Sequence, residues 1–331
     1  MLQGINILGT GTYVPERIVT NDDFSKIVET SDEWITTRTG ISKRHISGGE
    51  PTWYMAVNSG RQAIENSGID VSEIGMIVCA SVSPDYAFPS LSCIVQRELK
   101  AENAFAIDVN CACAGFVYGI DIARRYVATG AVKYALIIGA ENLSKFVNYS
   151  DRTTCVLFGD GSASCVIGAS ENICGSFLTA DGNGAKFLSC ALISPRNAFM
   201  PEQKTEIESG IPALENNYMH MDGKEVYKFA TSAMPDAVVK ACEDAGITVD
   251  DLDIIIPHQA NIRIIQTSAS RLGVSMDKFF VNIQNYGNTS SASIGIGLHE
   301  AISQNRIKKG DKVCLVGFGA GLTVAGLVFE Y

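Results

Sequence analysis

Apolar residues in this chain follow two rhythms. Strand-length runs such as Met76–Ala80, Tyr134–Gly139 and Asp253–Pro257 alternate with longer stretches of helical character, Phe116–Ala128 and Asn261–Leu272 among them. In the last of these, Ile262 and Ile265 are expected to face the core. Strands alternating with helices predict an α/β fold. The pattern also repeats at an offset of 178 residues. Ala63–Val71 matches Ala241–Val249 at Ala, Glu, Gly, Ile and Val, and each block is a helix end closed by glycine, then a turn, then an apolar strand. Further on, Gly130–Gly139 and Gly310–Gly317 repeat a loop-then-strand pattern with a small shift in spacing. The chain therefore reads as two related halves, residues 1–172 and 173–331.

Composition narrows the class. A chain of 331 residues with 46% hydrophobic content can bury a large core, and no Pro/Gly/Ser-rich linker separates independent modules. No apolar run approaches the ~20 residues of a spanning helix, and Met1–Asn6 lacks the features of a signal peptide. Ten cysteines without framework spacing, several inside strand-like runs (Cys79, Cys165, Cys314), suit free thiols in a reducing cytoplasm. A net charge of −10 argues against nucleic acid or anionic membrane as partners. It gives more weight to Arg38, Arg152, Lys228 and Arg263, which fall inside or beside the segments below.

Three segments carry candidate chemistry. Asp108–Phe116 runs from an extended stretch (Ala104–Val109) toward the Phe116–Ala128 helix and places Cys113 at the junction. A helix start favours thiolate over thiol and brings a thiol pKa from ~8.5 toward ~3.5–7.5. Pro257–Arg263 offers His258 at a strand end, and Tyr286–Ser291 offers Asn288. Cysteine, histidine and asparagine on three junctions point to acyl transfer through a covalent thioester. If the halves pack about a pseudo-twofold axis, helix starts bearing Cys113 and Asn288 would meet near it.

Each residue has a plainer reading. Taken alone, Cys113 reads as a small buried hydrophobe, although Ala112, Ala114 and Gly115 beside it leave room for a ligand. Asn288 after Gly287 is a common turn residue. Cys111 reads as packing, and no second ligand pair makes Cys111 and Cys113 a metal site. His45, His220 and His299 lack comparable context. Gly317–Gly321 is either a tight turn or a backbone N–H aimed at an oxyanion.

Taken together these motifs resemble the condensing enzymes of the thiolase superfamily, and among them the 3-oxoacyl-[acyl-carrier-protein] synthase III family. The resemblance rests on Gly9–Gly11, Thr30–Ile41, Ala87–Ser90, the Cys113 segment, Asp151-Arg152, Phe158–Gly161, Met221–Lys228, the His258 and Asn288 segments, and Phe318–Gly321. Thiolases proper carry a second catalytic cysteine, which Cys314 does not match, and the elongating synthases use two histidines. Hydroxymethylglutaryl-CoA synthase is disfavoured by the Trp34/Arg38 segment.

The resemblance implies a thiolase-like fold, a layered αβαβα sandwich of two stacked, mostly parallel sheets, and a homodimer. It implies a CoA channel formed by Thr30, Trp34, Arg38, Arg152, Gly223, Tyr227 and Asn261. Phe88 would reach the acyl pocket across the dimer, and Arg263, with Lys228 and Arg271, would attract an acidic acyl carrier protein. The implied reaction joins a short acyl-CoA, carried on Cys113, to malonyl-carrier protein. His258 and Asn288 would serve the decarboxylation, backbone N–H groups of Cys113 and Ala320 would form an oxyanion hole, and no metal or redox cofactor is called for. Lys224, Cys111 and Val324 depart from the residues usual in the family. The sequence leaves open a specialised relative acting in a secondary pathway, and a silent acyl-CoA-binding protein.

Overall fold

In the computed structural model, which describes residues 4–192, 210–211 and 218–331, the strand rhythm resolves into two principal sheets. Strands β1 (Gly4–Tyr13), β2 (Ile18–Thr20), β3 (Lys43–His45), β4 (Ile74–Ala80), β5 (Phe105–Val109), β6 (Tyr134–Glu141) and β7 (Gly161–Ser170) come first. All but the small β2–β3 ribbon form a sheet of order β1-β7-β6-β4-β5. Then follow β8 (Cys174–Thr179), β9 (Leu188–Cys190), β10 (Met219–Met221), β11 (Ile254–Pro257), β12 (Lys312–Gly319) and β13 (Thr323–Glu330). The second sheet runs β11-β12-β13-β8, and β9 pairs with β10.

The two sheets match strand for strand. β4, β6, β7 and β1 correspond to β11, β12, β13 and β8, and a single parallel bridge from Ile255 to Phe279 stands in the place of β5. The aligned sequence blocks coincide with equivalent structure. Each is a helix (Thr52–Ser67; Gly223–Asp244), a short 3-10 turn (Val71–Glu73; Val249–Asp251) and then β4 or β11. The sheets are mixed rather than mostly parallel. β4 is parallel to β5 and β6, and β11 to β12, but β7 and β13 run antiparallel to their neighbours. For β13 the cause is local: it follows β12 after three residues, a hairpin connection that only antiparallel strands allow.

Helices Thr52–Ser67 and Leu91–Leu99 cover the outer face of the first sheet, and Gly223–Asp244 and Ile262–Leu272 that of the second. Helices Gly115–Ala128 and Ala292–Ser303 lie between the sheets, giving five layers. Their sequences explain the placement. Every residue from Ala292 to Leu298 is buried, which suits a helix enclosed on all sides. The outer Ile262–Leu272 helix buries one stripe, Ile264, Ile265, Ser268 and Ala269. Ile265 thus faces the core as expected, but its companion is Ile264. Ile262 is half-buried and packs with Ile35 and Ile283 instead.

Candidate active site

The strand β5 ends at Val109, and the chain enters a 3-10 turn, Ala112–Ala114, that leads into the Gly115–Ala128 helix. Cys113 sits in this turn, buried on the cavity wall. The turn is held by β12. A Cβ on Gly319 would lie 2.6 Å from the Cys113 nitrogen and 2.8 Å from Ala112 Cβ, so only glycine lets the strand pass. Thr323 Oγ1 donates to the Cys111 carbonyl at 2.9 Å and binds the two turns together. Among the described residues five that are not glycine have positive φ. Lys100 and Asn305 close helices; Ala112 (φ 46°), Ser290 (φ 48°) and Leu322 (φ 46°) surround the cysteine turn. Such conformations cost of order 1 kcal/mol or more each, and their concentration at one place marks a site the fold over-determines.

The expected thiolate is not what the burial of Cys113 supports. Enclosure pushes the thiol up to about 12, and the nearby Glu141 adds to the rise, against the pull of a hydrogen bond from Ser290. A short helix-start turn does not outweigh the loss of water around the sulfur. The resting group is a thiol.

His258 follows β11 directly and is buried, with its ring edge-on to Phe318 at 5.4 Å. Burial lowers its pKa to about 3, so the imidazole is neutral near pH 7. Nδ1 lies 2.6 Å from Ser293 Oγ, which also accepts the Gln259 N–H at 3.5 Å. Where the Ser293 hydroxyl donates to Nδ1, the ring N–H lies on Nε2. Gln259 is itself fixed, donating to the carbonyls of Pro257 and Phe280 at 2.9 and 3.1 Å.

Asn288 does not begin a helix as expected. It lies in an extended segment bridged to Phe158, and the helix starts only at Ala292. The reason is competition for its backbone groups: Asn288 N–H donates to Leu157 O at 2.9 Å, and its carbonyl accepts from Gly159 N–H at 3.0 Å. Its side-chain Oδ1 accepts the Ser290 N–H at 2.9 Å, which leaves the Nδ2 protons as the free donors.

Cys113, His258 and Asn288 line one cavity of about 830 Å³ together with Ala320 and Ser290. Of the residues expected in a CoA channel, Trp34, Arg38, Gly223, Tyr227 and Asn261 line it too, as does Lys224. Arg152 reaches it indirectly. Its guanidinium lies 5.0 Å from the Trp34 ring, that of Arg38 lies at 4.8 Å, and Arg152 also donates to Glu29 O at 2.7 Å. Asn261 caps the Ile262–Leu272 helix through Oδ1. Thr30 is outside the wall, its hydroxyl buried without a hydrogen-bond partner. The Trp34 helix is capped by Ser31, whose side chain accepts the Trp34 N–H.

Arg263 is exposed at the cavity wall and donates to Thr37 O at 3.2 Å, whereas Lys228 and Arg271 are exposed on outer helices and do not line it. Phe88 is 86% exposed and takes no part in this chain's own cavity. Cys111 is half-buried and faces away from the cavity, and Val324 is packed in the core. Sequence reasoning missed Ser290, Ser293, Phe318 and Glu141. The one available signal was Glu141 itself, an acidic residue directly after a run of strand apolars. Among the described residues no group of three or more acidic, His or Cys side chains is placed to hold a metal, and no helix is long and apolar enough to cross a membrane.

Comparison with known proteins follows this geometry. Residues 107–182 match the 3-oxoacyl-[acyl-carrier-protein] synthase III family, and residues 242–331 match its C-terminal domain. The chain is 46% identical to the beta-ketoacyl-[acyl-carrier-protein] synthase III of Clostridium acetobutylicum, over 100% of this chain and 99% of that one. It superposes on the crystal structure of 3-oxoacyl-[acyl-carrier-protein] synthase III from Aquifex aeolicus with a TM-score of 0.90 at 40% identity, covering 99% and 100% of the two chains. A priming beta-ketosynthase of the R1128 polyketide biosynthetic pathway gives a TM-score of 0.89 at 33% identity, over 99% and 96%.

Proposed function

This chain belongs to the 3-oxoacyl-[acyl-carrier-protein] synthase III family, and from that premise we propose how its cavity performs the condensation that initiates fatty acid synthesis. Cys113 accepts a short acyl group from acyl-CoA and releases CoA. Malonyl-carrier protein then enters, and His258 Nε2–H and Asn288 Nδ2–H donate to its thioester oxygen. Those bonds strengthen as carbon dioxide departs and the enolate forms, which is where negative charge develops. The enolate carbon attacks the acyl-Cys113 carbonyl, whose oxyanion is received by backbone N–H groups of Cys113 and Ala320.

One observation carries the reading. Asn288 Oδ1 accepts the Ser290 N–H and His258 Nδ1 faces Ser293 Oγ, so with the Ser293 hydroxyl donating, each side chain presents a donor to the same cavity as the cysteine. A pair of fixed donors beside a nucleophile suits the enolate oxygen that forms on decarboxylation. Trp34, with two guanidiniums near its ring, suits the adenine and phosphates of CoA, and Tyr227, Gly223 and Asn261 line the same wall. Arg263 at the mouth suits an acidic carrier.

The wider assignments belong to the same proposal. Residues 1–172 and 173–331 are two homologous halves, and the protein works in the cytoplasm without a cofactor. It acts as a homodimer in which Phe88, wholly outside its own cavity, serves the partner. A priming role in polyketide assembly is the second reading, favoured by the likeness to the R1128 ketosynthase. The test is to incubate the protein with a panel of short acyl-CoAs, map the adduct by mass, and add malonyl-carrier protein. The adduct is expected on Cys113. His258→Ala and Asn288→Ala should still take it but condense ~10²–10³ times more slowly. An adduct on Cys111, or near-normal condensation by both variants, would overturn the assignment.

A further inference from the structure

The scheme above asks His258 to give a hydrogen bond from Nε2, and a neutral imidazole has only one N–H to give. Neutrality follows from burial, since the ring is enclosed and no carboxylate pairs with it among the described residues. Which nitrogen carries the hydrogen is then decided by the neighbours of each. His258 lines the cavity, and Nε2 has no protein partner among the described residues. Nδ1 has one, Ser293 Oγ at 2.6 Å.

Ser293 is the second residue of the Ala292–Ser303 helix and is 2% exposed. Among the described residues its hydroxyl meets two groups: Nδ1, and the Gln259 N–H at 3.5 Å. The Gln259 N–H can only donate. Nδ1 without a hydrogen is therefore the single acceptor in reach of the hydroxyl proton. In the opposite tautomer Oγ would receive two N–H groups, and its own proton would be buried with nothing to meet, an arrangement that folded proteins avoid.

The hydroxyl is also a fixed point. Gly297, one turn beyond Ser293 on the same helix, is packed so closely that a Cβ there would lie 3.0 Å from Ile256 Cγ2. The helix face that bears Ser293 is thus seated on β11, the strand that His258 follows. On the other side of His258, Gln259 is tied down through its amide. It donates to the carbonyls of Pro257 and Phe280, and its Oε1 accepts the Asn282 N–H at 3.2 Å.

We propose that Ser293 is a positioning residue for the condensation: its hydroxyl donates to His258 Nδ1, selects the tautomer with its hydrogen on Nε2, and holds the ring so that this hydrogen meets the enolate oxygen. The inference rests on the reading of His258 as a donor to the malonyl thioester. Ser293 does not line the cavity and touches no reacting atom. No proton is transferred along the pair, and both hydrogens stay where they began through each turnover. Acylation of Cys113, whose oxyanion is assigned to backbone N–H groups, makes no use of the pair.

Two measurements test this. One is the protonated ring nitrogen, read from the ¹⁵N shifts of the four histidines in imidazole-labelled protein near neutral pH, with His258 assigned by the loss of its signals in His258→Gln. The other is the single-turnover rate of each half-reaction, followed by mass. The wild type should carry its hydrogen on Nε2; a hydrogen on Nδ1 overturns the proposal whatever the variants do. Ser293→Ala should gain the Nδ1–H form and acylate Cys113 at the wild-type rate. It should condense on the order of ten times more slowly, short of the ~10²–10³ that loss of a whole donor costs. That loss should fall on kcat rather than on KM for malonyl-carrier protein, as expected of a bond that strengthens in the transition state. Ser293→Thr keeps a hydroxyl on the same carbon and should restore both the tautomer and most of the rate. Equal slowing of the two half-reactions would make Ser293 a packing residue, and an unchanged tautomer with unchanged condensation in Ser293→Ala would remove its role. If Ser293→Ala fails to fold, the wild-type tautomer and Ser293→Thr decide. If the wild type takes no acyl adduct, the proposed function fails, and the ¹⁵N shifts still decide whether Ser293 sets the ring.

Discussion

A histidine enclosed without a counter-charge resists protonation, and that resistance is a term in stability. His258 has its pKa lowered to about 3 by burial, against about 6.5 in an unfolded chain. Between those values the unfolded state holds the extra proton, so stability rises with pH across the window. Acidification from about pH 6.5 toward pH 3 therefore withdraws stability, and above that window His258 adds no pH dependence. His258→Gln should unfold in urea with a flatter pH slope between pH 4 and 6.5; a slope equal to wild type would mean the folded imidazole titrates freely. At this scale the sequence singles out Cys113, His258 and Asn288, and the structure brings all three to one cavity wall. Their ionisation was not legible, since it depends on burial depth. Nor were Ser293 and Glu141, whose partners come from 35 and 149 residues away. Nothing local in the chain announces such a pairing.

Elements set the tolerance of the site to change. β12 runs against the Cys113 turn with no room for a methyl group, so Gly319→Ala drives a carbon into the Cys113 nitrogen and Ala112 Cβ. Overpacking of this kind costs about 1–3 kcal/mol, and a shift of ~1 Å at a reacting atom costs ~10² in rate. Acylation should thus fall far more than thermal stability, measured by single-turnover mass and by calorimetry. Near-normal acylation would show that the turn can move aside freely. The glycines of this segment were visible in sequence, but not which backbone they admit. Strands and buried helices were readable because their apolar runs differ in length and period. Strand direction was less so, since it depends on hairpins and crossovers rather than on pattern. The non-helical setting of Asn288 is of the same kind: its backbone bonds go to Leu157 and Gly159, far off in sequence.

Over the whole molecule, charge and access work together. The chain carries −10, yet the proposed partner that delivers malonate is itself acidic, so attraction has to be local. Arg263, exposed at the cavity wall and tied to Thr37 O, is the side chain placed to provide it. Arg263→Glu should slow the malonyl-carrier half-reaction, lessen its salt dependence, and leave acylation by acyl-CoA comparatively intact; equal losses in both would assign it to CoA instead. At this scale two short matched blocks suggested related halves, and the two sheets share a strand order. The meeting of the three site segments was not legible, because it depends on how the halves dock. The same docking leaves the molecule with an optical gauge. Of its two tryptophans, Trp53 packs with the outer helices of the first sheet, while Trp34 stands in the cavity wall with two guanidiniums within about 5 Å of its ring. Indole emission responds to nearby charge, so an anion that enters the cavity and draws those two cations is expected to alter the emission of Trp34 without any added label.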